Sequence, residues 1–389
     1  MNAARASLSS ACLSGEALER RSAVVERLLA VFTGAGHAQL EPPHLLDADL
    51  LLDLYGEDIR TRAFLFPEPV RSGELCLRPD FTLPVALSHA QFGWQRAASY
   101  AYAGPVFRLQ DMAETRPIEY LQVGIERYGE ADRARADAAV LALMLEGLDA
   151  LGLEERRIMT GDPSVVFSLL DALPLAPDRR TALRRHFWRP NRFRALIERF
   201  SLAPTPPGDQ RAALLEAAEV GAPAVEAMAA QGRELVGLRG LDEIAARAGA
   251  LAATSGAPPM PGEEADLIGA VLDVRGGAGE VLAQLRDTTT AAGVNIGPAL
   301  EAFERRLDAL NCVGIDAEML PFDVRFGRAM EYYDGFVFEI TADGEAELPP
   351  LAGGGRYDSM TRRLGAPEAV PAVGAMIRPE VAIRAGARP

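Results

Sequence analysis

GPVFRLQDMAETRPIEYLQVGIERYG, residues 104–129, is the stretch from which the fold is read. Aromatic and β-branched residues flank a polar centre. YAYAGPVFRLQ (100–110) and IEYLQVGIERYG (118–129) therefore read as two strands joined by the loop DMAETRP. Their matched lengths and alternation predict an antiparallel pair. Side chains repeat with period two along a strand, so Gln122 and Glu126 share one face. Two readings stay open for that face: a ligand site, or the solvated surface that polar strand positions usually form.

Working outward, Glu16 to about Phe32 carries apolar residues at helical spacing through Leu18, Val25, Leu28, Leu29 and Phe32, and Gly34 and Gly36 end the pattern. Pro42 and Pro43 stop the extended segment that follows. ELCLRPDFT (74–82) reads as a strand, with a helix from about Leu83. From 132 to about 310, Ala, Leu, Glu and Arg dominate at helical spacing, punctuated by LAPTPPG (202–208) and SGAPPMPG (255–262). Strand composition returns after Gly314 in EMLPFDVRF and YYDGFVFEIT. The end, GGGRYDSMTRRLG and then PAVGAMIRPEVAIRAG, reads as turn, helix, strand, helix, the glycines supplying a tight turn. A sheet interrupted by helices and then resumed is α+β. The predicted divisions are 1–165, a mostly helical insertion 166–310, and 311–389.

Composition narrows the function. At 389 residues and 49% hydrophobic, the chain can bury a large core. No run approaches the roughly 20 apolar residues that span a bilayer. The N-terminus lacks the apolar core of a secretory signal. Cys12, Cys76 and Cys312 are few, odd in number and far apart, which fits reduced thiols in the cytoplasm and neither a disulfide framework nor a zinc site. A net charge of −15 argues against a broad nucleic-acid surface. The sequence contains no lysine, which excludes phosphate-loop, Schiff-base and kinase-type lysine chemistry. RGGAGE (275–280) therefore reads as a turn before a helix. The arginines at 179, 180, 184, 185, 189, 192 and 194 read as a solvated helix face or a contact for a partner or phosphates.

The motif set, in order along the chain, resembles class II aminoacyl-tRNA synthetases, specifically the histidyl enzymes. LRPDFT resembles their LRPEGT segment, FRLQ their FRxE, QVGIE their amino-acid strand, and GRAMEYYDGFVFE their RGLDYYNxTVFE element. The resemblance covers about 16–165 and 311–389. It implies a class II antiparallel sheet flanked by helices, and a histidine site. Asp80, Thr82 and Gln122 would take the amino group and Glu126 the imidazole, bordered by Tyr332 and Tyr333. Arg108 would grip the carboxylate, and Arg328 would stand at the catalytic arginine's position. That set suits free histidine, whose carboxylate wants a guanidinium and whose ammonium and imidazole want oxygen partners.

The departures point away from catalysis. The adenine-reading glutamate of FRxE is Gln110. Ile118 replaces the second arginine of that loop, while Arg116 matches the first. PAVGAMIRPEVAI stands where the family has PAVGFAIGLERL, so Val381 replaces an arginine and Arg378 a glycine. No anticodon-binding domain is expected after Pro389. This pattern resembles the regulatory subunits of ATP phosphoribosyltransferase, synthetase paralogues that act on a short catalytic subunit in histidine biosynthesis. The implied partners are that subunit in a hetero-octamer, a second copy through the Pro42–Pro43 region, and histidine. No tRNA, metal or cofactor is expected. The alternatives are a divergent histidyl-tRNA synthetase and a synthetase-like histidine or tRNA sensor.

Overall fold

A computed structural model describes residues 12–55, 57–70, 73–109, 117–202, 258–327, 330–345 and 347–388, with isolated positions between 213 and 249. The chain divides into two compact units. One comprises Met1–Val165, Asp273–Asp287 and Gly297–Pro389; the other comprises Val166–Leu272 and Thr288–Ile296.

The first unit is built on a nine-stranded sheet. In chain order its strands are β1 (Ala38–Gln39), β5 (Ala98–Phe107), β6 (Glu119–Tyr128), β7 (Arg156–Gly161), β8 (Arg275–Gly277), β9 (Pro321–Asp323), β10 (Val337–Ala342), β11 (Ala352–Arg356) and β12 (Ala372–Ile377). Their spatial order is β1-β5-β6-β12-β11-β10-β7-β9-β8. The predicted hairpin is present: β5 and β6 pair antiparallel from Ala98 opposite Tyr128 to Phe107 opposite Glu119. The six central strands are antiparallel throughout. Short parallel pairings of β1 with β5 and β7 with β9 make the sheet mixed at its margins. This is an α+β fold, a largely antiparallel sheet flanked by helices, as the sequence led one to expect.

The GGG run is a strand and not the turn expected from sequence. Gly353, Gly354 and Gly355 lie in β11, and none has a positive φ. The reason is close approach. A Cβ on Gly354 would collide with the Gly374 carbonyl oxygen and the Ala375 side chain. One on Gly355 would lie 2.7 Å from the Phe336 carbonyl oxygen. RGGAGE likewise supplies an edge strand, β8, before a helix.

Helix α1 (Glu16–Gly34) buries Val24, Leu28 and Phe32, one stripe at four-residue spacing, while Leu18 stays 39% exposed. A smaller sheet of β2 (Leu45–Asp47), β3 (Leu65–Pro67) and β4 (Glu74–Leu77) is ordered β2-β4-β3. Beside it lie α2 (Ala48–Tyr55) and α3 (Thr82–Phe92). Arg78 ties this sheet to β5 through backbone carbonyls. Its buried guanidinium donates to the carbonyls of Pro42 (2.7 Å) and Pro105 (2.8 Å) and lies 4.0 Å from the Phe81 ring centre. A side chain at Gly104 would come within 2.7 Å of it. This anchor fixes LRPDFT against the hairpin.

On the other face of the sheet, α4 (Arg133–Asp149) covers β11 and β12. Asp137 of α4 accepts from Arg356 at 2.7 Å and faces Arg306 at 3.5 Å. Arg306 also reaches Asp162 at 2.5 Å, and Arg356 reaches Asp358 at 2.8 Å. The side chains of Asp137, Arg306 and Arg356 are nearly inaccessible to water.

The second unit contains α5 (Pro163–Ala172), α6 (Pro177–His186), α7 (Pro190–Ser201) and α8 (Gly262–Leu272), with Pro in the first turn of both α6 and α7. Part of the arginine-rich stretch works inside this unit. Arg179 is buried, donates to the Pro258 carbonyl at 2.6 Å and lies over Phe200. Arg184 pairs with Asp171 at 2.8 Å. Arg185, Arg192 and Arg194 are exposed.

Removing one member of a buried ion cluster leaves its partners charged and unpaired, at a cost of about 3–5 kcal/mol. Asp137→Ala should lower the free energy of urea unfolding of the first unit by that amount. A loss under about 1 kcal/mol, the range of exposed pairs, would contradict the cluster's role.

Candidate functional site

Several elements of the first unit converge on a cavity of about 500 Å³. Strand β6 contributes Gln122 and Glu126, two positions on one face, as its period predicts. The turn before α3 and its first residue contribute Asp80 and Thr82. The segment before β10 contributes Tyr332 and Tyr333. Arg108, just past the end of β5, lines the same cavity. Arg328 lies outside the described residues, as do Gln110 and Arg116.

Asp80 and Glu126 are both buried and are linked through Thr82. Asp80 Oδ1 accepts from the Tyr55 hydroxyl at 2.6 Å and from Thr82 N at 3.1 Å. Thr82 Oγ1 donates to Glu126 Oε1 at 3.2 Å and lies 3.3 Å from the Tyr332 hydroxyl, which also reaches Asp80 Oδ2 at 3.4 Å. The Tyr357 hydroxyl donates a short hydrogen bond to Glu126 Oε2 and contacts the Tyr128 hydroxyl at 3.1 Å. Tyr102 stands 3.5 Å from Glu126 Oε1.

Burial dominates the electrostatics. It pushes the Glu126 carboxyl up to about 8; the Tyr357 hydrogen bond opposes the rise and Asp80 adds to it. Burial also raises Asp80, while Arg108 pulls it down. Arg108 Nε and Gln122 Oε1 are buried with no hydrogen-bond partner among the described residues. Both residues line the cavity. Among the described residues, no cluster of His, Cys, Asp or Glu could hold a metal ion.

Sequence reasoning missed Tyr55, Tyr102, Tyr357 and Gly374. Tyr357 was hidden in GGGRYD, read as a turn. Tyr102 is opposite Gly124, and a Cβ there would sit 2.5 Å from the Tyr102 hydroxyl. Gly374 is required because any side chain would collide with the Glu126 carboxyl. Strand register reveals the Tyr102 and Gly374 contacts, and the tertiary fold those of Tyr55 and Tyr357.

The departures also map onto the cavity. Val381 lines it, almost wholly buried, at the start of α9 (Pro379–Arg384). Arg378 lines it too, and donates to the Pro350 carbonyl at 2.5 Å.

A sequence model of the histidyl-tRNA synthetase family matches residues 13–257 and 241–381. Among solved structures, a Bacillus halodurans protein described as an ATP phosphoribosyltransferase regulatory subunit/histidyl-tRNA synthetase superposes with TM-score 0.68. Its identity is 20%, over 97% of this chain and 82% of that one. A Nostoc histidyl-tRNA synthetase gives TM-score 0.60 at 16% identity, over 96% of this chain and 75% of that one. These place the fold in the class II histidyl-tRNA synthetase group. Among curated proteins, the ATP phosphoribosyltransferase regulatory subunit of Brucella canis is 36% identical over 364 residues, covering 91% of this chain and 95% of the relative. That of Allorhizobium ampelinum is 33% identical over 374 residues, 89% and 93% respectively. The chain belongs to the histidyl-tRNA synthetase-like family of ATP phosphoribosyltransferase regulatory subunits.

Glu126 makes a signed prediction about stability. Its carboxyl is raised in the folded state from 4.5 to about 8, so the folded protein holds a proton that the unfolded chain releases. Its contribution is full below about 4.5, falls as pH rises, and levels off above about 8. Glu126→Gln cannot ionise. Without ligand, its Tm relative to the parent should climb between pH 5 and 8. A difference that is flat across that range would refute the burial argument.

Proposed function

We propose that this chain acts on a short ATP phosphoribosyltransferase catalytic subunit, making it active at the entry to histidine biosynthesis and helping histidine inhibit the complex. The protein does not carry out the phosphoribosyl transfer and does not charge tRNA. The observation that carries this reading is the contrast within one cavity. Its β6 end presents Glu126, Gln122, Asp80 and Thr82, groups suited to an amino acid. Its α9 end presents Val381 where the synthetase family has an arginine for ATP. Valine supplies neither charge nor donor, so a nucleotide loses a main anchor there.

In this reading free histidine occupies the cavity. Its carboxylate lies toward Arg108 and Arg328, its amino group meets Gln122, Asp80 and Thr82, and its ring meets Glu126 beside Tyr332 and Tyr333. The catalytic subunit docks outside the cavity in a hetero-octamer, with a dimer of this chain through the Pro42–Pro43 region. The setting is cytoplasmic. Among the described residues no helix is long and apolar enough to cross a membrane.

Reconstitution is the test. Adding this chain to the short catalytic subunit should raise phosphoribosyl transfer, and histidine should then inhibit it. Equal activity with and without this chain would end the regulatory reading. The chain alone should not support histidine-dependent exchange of pyrophosphate into ATP, and robust exchange would return it to the synthetases.

Calorimetry tests the cavity separately. Glu126→Gln and Arg328→Ala should each weaken histidine binding by roughly 1.5–3 kcal/mol, about 10- to 150-fold. Unchanged affinity in both would place any histidine site elsewhere.

A further inference from the structure

The hydrogen bonds around Glu126 have one feature that the histidine reading does not use. Each recorded partner of this buried carboxyl is a hydroxyl: Thr82, Tyr102 and Tyr357. The groups facing it come from every packed element. Tyr102 comes from β5 and Tyr128 from β6. Asp80 and Thr82 come from the start of α3, Tyr332 from the segment before β10, and Tyr357 from the end of β11. Gly374 of β12 leaves the carboxyl its space. His89 stacks behind Tyr128 at 4.3 Å. The tyrosines at 102, 128, 332 and 357 are all held well above the usual phenol range by burial, so they are neutral near pH 7. Asp80 is the second buried carboxyl in the cluster, and Arg108 offsets Asp80. Among the described residues no cation is hydrogen-bonded or ion-paired to Glu126. A buried carboxylate beside another carboxyl, without a cation, takes up a proton.

We propose that Glu126 carries a proton in the ligand-free protein and passes it to a basic ring nitrogen of the ligand, capturing a neutral heterocycle as a cation paired with the carboxylate. This rests on reading the cavity as a histidine site. The Glu126 O–H bond breaks and an N–H bond forms on the lone pair of the ring nitrogen. The carboxylate and the new cation remain in contact, and net charge is unchanged. Basicity of the ring is then a determinant of specificity, beyond shape.

The proton count follows. Near pH 7 free imidazole is largely neutral and Glu126 protonated, so this pair exchanges almost no proton with solvent on binding. Above about pH 8 Glu126 has lost its proton beforehand, and the complex takes one up, so affinity falls as pH rises. Below about pH 6 the incoming imidazolium brings an extra proton that must leave, so affinity falls as pH drops.

The experiment is calorimetry on the full chain at pH 7.2 and 8.8, in buffers of different ionisation enthalpy. The ligands are histidine and β-(1,2,4-triazol-3-yl)alanine, which keeps the amino-acid backbone but has a far less basic ring. Their comparison cancels most of the amino-group titration. With the parent, histidine should take up more protons than the triazole at pH 8.8, approaching one. It should bind about tenfold or more tighter at pH 7.2. Glu126→Gln should erase the proton difference and bring the two affinities within about threefold. Tyr357→Phe removes a hydroxyl that favours the ionised carboxyl, so the high-pH fall in affinity should move to higher pH.

Equal proton counts and affinities for the two ligands in the parent would overturn the proposal while leaving histidine binding intact. So would a Tyr357→Phe profile unmoved or shifted to lower pH. Absence of histidine binding by the parent would remove the cavity reading, and this proposal with it.

Discussion

The arrangement depends on how closely three central strands approach without side chains between them. Glu126 reaches from β6 over β12 into space that exists because position 374 is glycine. Tyr102 lies over Gly124 for the same reason. On β11, Gly354 and Gly355 pack against neighbouring backbone and side chains. Glycine inside a strand costs conformational entropy and packing, and such positions usually mark a close approach. Here the approach buries a carboxyl under a floor of backbone and surrounds it with tyrosines from other elements.

This explains what the sequence disclosed. The β5–β6 hairpin was readable because apolar alternation and a polar loop are local signals, and its period put Gln122 and Glu126 on one face. Asp80, Thr82 and Tyr332 were recoverable only through resemblance, since nothing local brings residues 80, 126 and 332 together. GGGRYD was misread because glycine has two uses, positive φ and close approach, and choosing between them requires knowing the neighbouring strand. The error also concealed Tyr357, the closest partner of Glu126. Boundaries were softer: ELCLRPDFT supplies only Glu74–Leu77 as strand before Arg78 turns the chain towards α3.

The sheet buries carboxyl groups on both faces and treats them in opposite ways. On the α4 face, Asp137 is met by Arg356 and Arg306, and further carboxylates complete the cluster. Such a cluster ties a helix to strands, but its charges are already compensated, leaving little for a ligand to gain. On the cavity face, Glu126 is met by hydroxyls, which support a carboxyl in either protonation state without fixing its charge. Positions 353 and 356, three residues apart on β11, face opposite sides of the sheet: Gly353 lines the cavity and Arg356 pairs with Asp137, so one short strand separates the two regimes.

That asymmetry separates structure from function here. Paired charges buried on one face resist change, because removing any member strands another. A hydroxyl-lined carboxyl facing a cavity is costly in its ionised form and gains when a cation or a strong donor arrives. Arg108 Nε and Gln122 Oε1 are also buried without a hydrogen-bond partner among the described residues. Polar groups left short of partners in a native interior destabilise the ligand-free state, and a ligand that satisfies them recovers that energy as affinity. The residue at position 381 leaves this bias untouched, since Val381 and Glu126 sit on different elements of the cavity wall. On the function proposed above, the Glu126 end of the cavity keeps this bias toward a ligand, while the end at Val381 offers a nucleotide neither charge nor donor.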